Sequence, residues 1–245
     1  MQTEAELRRD LADCYRLFDW LGWSELIFNH ITVRVPDREG SATEYLINPF
    51  GLHYAEVTPD NLVAIDLDGN HRPGETGQVN RAGFVIHSAI HAARADAHCI
   101  MHVHTTAGSA VSCKEEGLRH DNFYSALMFG DVAYHDYEGV TTRMDEQPRL
   151  VASLGNSNHL ILRNHGLLVV GPTIPTAFNR LWTLQRACEI QLACHSMGTP
   201  IPVPEAIAAK CTRDSLQFSP AHGAGRDVLD ALIRQVDRLD PSYRQ

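Results

Sequence analysis

The stretch Asn80–Thr105 reads N-R-A-G-F-V-I-H-S-A-I-H-A-A-R-A-D-A-H-C-I-M-H-V-H-T and joins a helix to a strand that ends in histidines. Residues 84–94 have the 3.6-residue period of a helix that packs on a sheet, and residues 99–103 are apolar enough for a buried strand. His102 and His104 alternate, so an extended backbone projects both imidazoles from one face. The stretch therefore predicts an α/β fold with two histidines at a strand end.

The rest of the chain alternates helices and strands in the same way. Apolar spacing predicts helices over residues 3–21, from about 105, and over 174–197, 204–210 and 225–239. Short apolar runs predict strands over residues 31–35, 45–47, 62–65, 132–134, 160–162 and 167–170. Because no internal repeat or linker interrupts the pattern, the sequence predicts one α/β domain with a central sheet and covering helices.

Composition excludes several classes of function. The chain has 245 residues, of which 44% are apolar, and a formal net charge of −9. It shows no transmembrane run, no secretory leader and no basic stripe, so we expect neither a membrane nor a nucleic acid as its partner. The six cysteines form no C-x-x-C motif, and their spacing predicts thiols in a cytoplasmic protein.

A third histidine completes a pattern typical of a catalytic metal. His165 lies in the R-N-H-G motif at residues 163–166, between two predicted strands. Three imidazoles hold a divalent ion and leave positions open for water or substrate. We predict zinc first, although the ligand type also suits iron, manganese and cobalt. Such an ion polarises a carbonyl or stabilises an enediolate.

These motifs, in this order and spacing, resemble the class II aldolase/adducin family, and among its members the bacterial branch that is similar to the adducin head. The resemblance runs from about residue 5 to 198, so we expect one domain over 1–245 with a core at 5–198 and a helical tail at 199–245. It implies a three-layer α/β/α sandwich with a central mixed or antiparallel sheet. It also implies a homo-oligomer, often a tetramer with sites between subunits, and places the metal ligands at His102, His104 and His165. The densest matches are residues 80–94, 101–105, 134–139 and 160–167.

The chain departs from the sugar-phosphate aldolases of that family at the residue that moves the proton. Their glutamate lies nineteen residues before the first metal histidine, where this chain has Gly83. The phosphate-binding loop reads Ile27-Phe28-Asn29-His30, and Arg81-Ala82 replaces a serine pair. Because bulky apolar residues do not bind a phosphate dianion, we expect a small substrate without a phosphate group.

Two histidines are candidates for the missing acid or base. His87 lies one helical turn beyond Gly83 and shares its helix face, although a hydrogen-bonded core histidine has the same pattern. His30 stands at the entry to a strand beside the altered loop. An imidazole titrates in the range that general acid–base catalysis needs.

Four further residues are candidates for contacts with substrate. Asn29 lies in the altered loop, and Gly51, in N-P-F-G, matches a third binding element of the family. Arg81 is suited to a bidentate contact with a carboxylate, although an arginine at a helix start is often a solvated charge. Tyr243, near the end of the chain, resembles the family's tail tyrosine, which reaches the pocket of an adjacent subunit and acts in catalysis.

Three functions remain open at this point. The first is a metal-dependent lyase that cleaves a carbon–carbon bond or decarboxylates a small non-phosphorylated carbonyl or carboxylate compound through a metal-stabilised enolate. The second is an Fe(II)-dependent oxygenase or decarboxylase with the same histidines. The third is a non-catalytic, adducin-like interaction protein, which the loss of the glutamate at Gly83 favours.

Overall fold

A seven-stranded sheet forms the middle of the protein, which a computed structural model describes over residues 2–38, 40–215 and 225–244. Its spatial order is β3-β2-β1-β4-β7-β6-β5. Neighbouring strands are antiparallel except β5 and β6, which are parallel, so the sheet is mixed as predicted. The strands are β1 (His30–Arg34), β2 (Glu44–Ile47), β3 (Val63–Asp66), β4 (Cys99–Val103), β5 (Val132–His135), β6 (His159–Leu162) and β7 (Gly166–Gly171).

Helices cover both faces of this sheet, which confirms the three-layer α/β/α sandwich. Helices α1, α3, α6 and α8 share one apolar core with the first face. Helices α2 and α5 cover the other face over two smaller cores. The described helices are α1 (Glu4–Trp20), α2 (Arg81–Ala93), α3 (Thr106–Ser112), α4 (Phe123–Ala126), α5 (Gln147–Leu154), α6 (Ile174–Cys194), α7 (Glu205–Ser215) and α8 (Arg226–Leu239).

The two-residue period of the strands decides which side chains face α2. In β1, Ile31 and Val33 enter the core beneath α1 and α6, whereas His30 and Thr32 point to the opposite face. His30 pairs with His102 of β4 in the register of the two antiparallel strands. Directly opposed residues project to the same face, so the polar end of this face begins with two adjacent imidazoles.

Some elements differ from the sequence predictions. The predicted helix 174–197 ends at Cys194, and the helix predicted at 204–210 extends from Glu205 to Ser215. Helices α4 and α5 were not predicted, because each is too short to show a helical period. The division into a core and a tail stays a prediction, and residues 216–224 and 245 of that tail lie outside the described residues. Within the described ranges, no helix combines the length and apolarity that crossing a bilayer requires.

Candidate metal centre

Three imidazoles from two separate segments of the chain meet at one end of the sheet. His102 belongs to β4, His104 follows that strand directly, and His165 lies in the turn between β6 and β7. The Nε2 atom of His104 lies 2.9 Å from Nε2 of His102 and 2.9 Å from Nε2 of His165. Because the ligand atoms of all three lie within 4.8 Å of one another, the triad can hold one metal ion.

The turn that carries His165 depends on close backbone contacts. A Cβ atom at Gly166 would lie 2.4 Å from the carbonyl oxygen of Val103, so only glycine lets β7 start this close to the end of β4. Asn164 adopts a left-handed conformation with φ +55°. Its backbone N–H donates to the carbonyl of Ser112, and the N–H of His165 donates to the Ser112 hydroxyl. The N-H-G motif is therefore a turn that brings the third imidazole to the other two.

Neutral imidazoles cannot satisfy both nitrogen–nitrogen contacts of the triad with hydrogen bonds, because Nε2 of His104 takes part in both. The carbonyl of Leu167 accepts from Nδ1 of His102 at 2.9 Å, so Nε2 of a neutral His102 carries a lone pair. A proton on Nε2 of His104 satisfies the contact with His102 but leaves His165 facing a nitrogen that cannot accept. Without that proton, two lone pairs oppose each other at 2.9 Å. A cation between the rings removes this conflict, so the donor set fits a metal ion.

Burial keeps these imidazoles neutral, as metal ligands must be. Burial lowers the pKa of His165 to about 4, with smaller contributions from His104 and His135. Burial, followed by the neighbouring histidines, holds the pKa of His102 well below its ordinary value. The pKa of His104 is also lowered by burial.

A cavity of about 530 Å³ opens beside the triad. His104 and His165 form part of its wall, and Arg81, at the first turn of α2, supplies a cationic side chain at its exposed edge. The guanidinium of Arg81 lies 5.2 Å from the ring centroid of Phe84. The remaining wall combines aromatic and aliphatic side chains with polar ones. The cavity is also lined by Phe28, His30, Phe50, Asn80, Ala82, Ile86, Tyr137, Gly139, Val140, Thr141, Thr142 and Asn164.

A chain of hydrogen bonds leads from this cavity into the protein interior. Nδ1 of His30 lies 2.8 Å from Nε2 of His87, and Nδ1 of His87 lies 2.7 Å from the hydroxyl of Thr32. The same hydroxyl lies 2.8 Å from Nε2 of His91, whose Nδ1 lies 2.9 Å from the carbonyl oxygen of Ala97. All four side chains are buried. We call His30, Thr32, His87 and His91 the histidine chain.

The other predicted contact residues lie in different places. Asn29 is buried outside the cavity wall, where its amide donates to the carbonyl of Trp23 and its Oδ1 accepts from the backbone N–H of His104. Its amide is thus occupied in positioning a triad residue, and the contact of Asn29 with substrate stays a prediction. Gly51 is exposed beside the cavity residue Phe50, with φ +107°. Its role in binding stays a prediction.

Tyr243 is buried within its own chain, and its catalytic role at a neighbouring subunit stays a prediction. Its side chain is 1% exposed and belongs to the core beneath α1 and α8. Its hydroxyl donates to Asp237 at 2.9 Å, and the guanidinium of Arg16 lies 4.8 Å from its ring centroid. A short helical turn at Ser242–Arg244 folds it inward, a conformation that the sequence D-P-S-Y-R does not reveal.

Sequence analysis missed Thr32 and His91, although a signal for both exists. His87 and His91 are four residues apart and therefore lie on one face of α2, while His30 and Thr32 are two apart and lie on one face of β1. Two polar residues on one face of a helix, together with two polar residues on one face of a strand, indicate that these side chains meet where the helix packs on the sheet.

Comparisons with known proteins identify the family of this chain. The sequence model described as "Class II Aldolase and Adducin N-terminal domain" matches residues 9–192. The chain is 43% identical to a Pseudomonas aeruginosa protein whose name places it among the class 2 aldolases, over 99% of this chain and 93% of that protein. It is 42% identical to mouse alpha-adducin over 96% of this chain, but this match spans only 34% of the adducin.

Solved structures lead to the same family. The crystal structure of an aldolase II superfamily protein from Pseudomonas syringae superposes with a TM-score of 0.90 and 40% identity, covering 100% of this chain and 97% of that chain. An L-fuculose 1-phosphate aldolase from Glaciozyma antarctica superposes with a TM-score of 0.84 and 30% identity, covering 99% and 93%. This chain therefore belongs to the class II aldolase and adducin N-terminal domain family.

Proposed function

We propose that this protein is a metal-dependent lyase that cleaves a carbon–carbon bond in a small, non-phosphorylated carbonyl or carboxylate compound. The observation that carries the proposal is the convergence of His102, His104 and His165 beside a cavity of about 530 Å³. The three imidazoles hold one divalent cation, zinc in the first place, with iron, manganese or cobalt as the other candidates. The likeness to an L-fuculose 1-phosphate aldolase supports carbon–carbon cleavage as the reaction type.

The cavity wall supports a substrate that carries one carboxylate. Arg81 provides a planar guanidinium at the exposed edge, and the aromatic side chains of Phe28 and Phe50 provide apolar surface in the same cavity. A phosphate dianion is usually held by several backbone N–H groups and hydroxyls, which bulky Phe28 does not offer. A bound divalent cation supplies Lewis-acid polarisation of a substrate carbonyl. The protein groups fix the substrate's orientation beside it and exclude water.

Metal analysis tests the triad directly. We expect the protein, purified without added metal, to contain about one divalent ion per chain by elemental analysis. His165→Ala removes one ligand from a partly exposed turn and should lower the metal content at least tenfold. His98→Ala is the matched control, because His98 is exposed and lies only four residues before His102. Equal metal content in all three proteins would contradict the proposal.

A turnover assay tests the reaction. We expect the metal-loaded protein to cleave or decarboxylate at least one member of a panel of 2-keto acids, 4-hydroxy-2-keto acids (in which the hydroxyl is β to the ketone) and hydroxyketones, with loss of turnover in His165→Ala. Iron as the bound metal, together with oxygen consumption, would favour the Fe(II)-dependent oxygenase instead. No turnover across the panel with metal bound would count against the lyase.

A non-catalytic, adducin-like role is the second candidate, and the identity to alpha-adducin together with Gly83 favours it. The chain spans about a third of that protein. In this case His102→Ala should leave partner binding unchanged, whereas a lyase loses its activity. We also propose a cytoplasmic homo-oligomer, a tetramer by family resemblance, which sedimentation equilibrium measures.

A further inference from the structure

The start of α2 leaves room for a side chain from β1. A Cβ atom at Gly83 would lie 3.0 Å from two ring carbons of His30 and 3.4 Å from its Nδ1. The missing side chain at position 83 thus leaves its space to an imidazole from the neighbouring strand. That imidazole lines the cavity, and its ring centroid lies 4.8 Å from that of His102.

One backbone carbonyl sets the direction of every hydrogen bond behind this ring. The Ala97 carbonyl only accepts, so His91 carries its proton on Nδ1 and accepts the hydroxyl proton of Thr32 on Nε2. Burial lowers the pKa of His91 to about 3, which excludes a second ring proton at neutral pH. With its only proton used, Thr32 accepts from Nδ1–H of His87.

The same logic fixes the outermost ring. His87 carries its proton on Nδ1, so its Nε2 accepts from Nδ1–H of His30. The remaining nitrogen of His30, Nε2, then carries a lone pair and has no hydrogen-bond partner among the described residues. Since His30 lines the cavity, the chain of hydrogen bonds presents an acceptor atom to a bound substrate.

We propose that His30 is the catalytic proton acceptor of this protein, and that Thr32, His87 and His91 are positioning residues that fix its tautomer. The inference rests on the proposed lyase function and assigns the group that moves the proton. The substrate it implies is a 3-hydroxy carbonyl compound, whose hydroxyl donates to Nε2 of His30 while its carbonyl faces the triad.

The proton and electron balance of this step is complete without any co-reactant. Nε2 of His30 takes the hydroxyl proton, and the O–H electron pair becomes the second bond of a new carbonyl group. The carbon–carbon bond breaks, and its electron pair stays on the fragment that holds the original carbonyl. Nε2 of His30 then gives the proton to the carbon that kept this electron pair. His30 ends neutral, and two carbonyl compounds leave.

Replacing His30 tests its catalytic role. His30→Asn keeps an N–H donor for His87, and its amide oxygen can accept a hydrogen bond but cannot take up a proton as an imidazole does. We therefore expect kcat to fall by about 100-fold or more at unchanged metal content. His98→Ala is again the control, with kcat unchanged. A kcat for His30→Asn within threefold of the wild-type value would overturn the inference while leaving the lyase function intact. If His30→Asn does not fold, His30→Gln replaces it with the same expectation.

The tautomers are tested without any turnover. In metal-free protein labelled with ¹⁵N-histidine, we expect NMR to show that His30 and His87 are protonated on Nδ1 and unprotonated on Nε2. Thr32→Val should abolish this uniform pattern and lower kcat about tenfold, while Thr32→Ser, which keeps the hydroxyl, should restore both. A proton on Nε2 of His30 in the wild type overturns the inference even if no substrate is found. An inactive wild type with the expected tautomers contradicts the lyase function alone.

Discussion

Two groups of histidines lie side by side on the α2 face of the sheet, and they satisfy their hydrogen bonds in opposite ways. In the triad of His102, His104 and His165, ring nitrogens face one another at 2.9 Å. No placement of protons on neutral rings gives both of these contacts a donor and an acceptor. In the histidine chain, every internal contact pairs one donor with one acceptor, and the chain ends on the Ala97 carbonyl.

The contrast teaches how one residue type serves two purposes. Convergent lone pairs are useful only around a cation, whereas a fully paired chain is stable without one. The triad therefore depends on metal for its stability, and the histidine chain depends on its hydroxyl link. This difference can be tested on each side separately.

The largest effect is expected from removing the hydroxyl in the middle of the histidine chain. Thr32→Val leaves one nitrogen of His87 and one of His91 buried without a partner, and each such loss costs roughly 1–3 kcal/mol. We expect the free energy of unfolding to fall by about 3 kcal/mol in denaturant titrations of metal-free protein. Thr32→Ser loses one methyl group and should cost about 1 kcal/mol. Equal losses of unfolding free energy in the two variants would show that the histidine chain does not depend on the hydroxyl.

We expect metal to stabilise the folded protein through the triad and not through the histidine chain. At a zinc concentration about 100 times the dissociation constant, binding to the folded state raises the free energy of unfolding by about 2.7 kcal/mol. Thermal unfolding with zinc and with a chelator measures the increment. We expect it in the wild type and in Thr32→Val, but not in His165→Ala. An increment that disappears in Thr32→Val would mean that the two groups are one unit.

The sequence predicted the fold and the triad for a physical reason. Both depend on short-range periodicity: alternation along β4 and the residue after it directs His102 and His104 to one face, and a glycine turn marks the position of His165. The histidine chain was only half visible, because its links join β1 to α2 across 55 to 59 residues. A pattern within one element does not show which residue of another element lies opposite.

Asn29 and Tyr243 show that the sequence also does not reveal the direction of a side chain in a loop or a tail. Asn29 lies in the expected loop, but its amide turns to Trp23 and His104 instead of the cavity. Tyr243 was placed at a neighbour's site by resemblance, whereas the charges of Asp237 and Arg16 hold it within its own chain. Side-chain direction in loops and tails depends on tertiary contacts that the sequence alone does not contain.

Helix α1 contains a buried carboxylate, Asp13, whose titration must be separated from the response of the histidines. Burial raises the pKa of Asp13 from 3.8 to about 6, despite its contact with Arg244, and Asp10 and Asp237 add to the rise. A raised folded pKa favours the protonated form, so this stabilising contribution is present below pH 4 and is lost as pH rises through 6. We expect Asp13→Asn to remove a fall of about 2 kcal/mol in the free energy of unfolding between pH 4 and 6.5, measured by denaturant titration. Asp19→Asn, on the same helix but not in this cluster, is the control. A wild-type fall that persists in Asp13→Asn would assign it to another group, and the histidines are unsuited to that role because their lowered pKa gives the opposite slope.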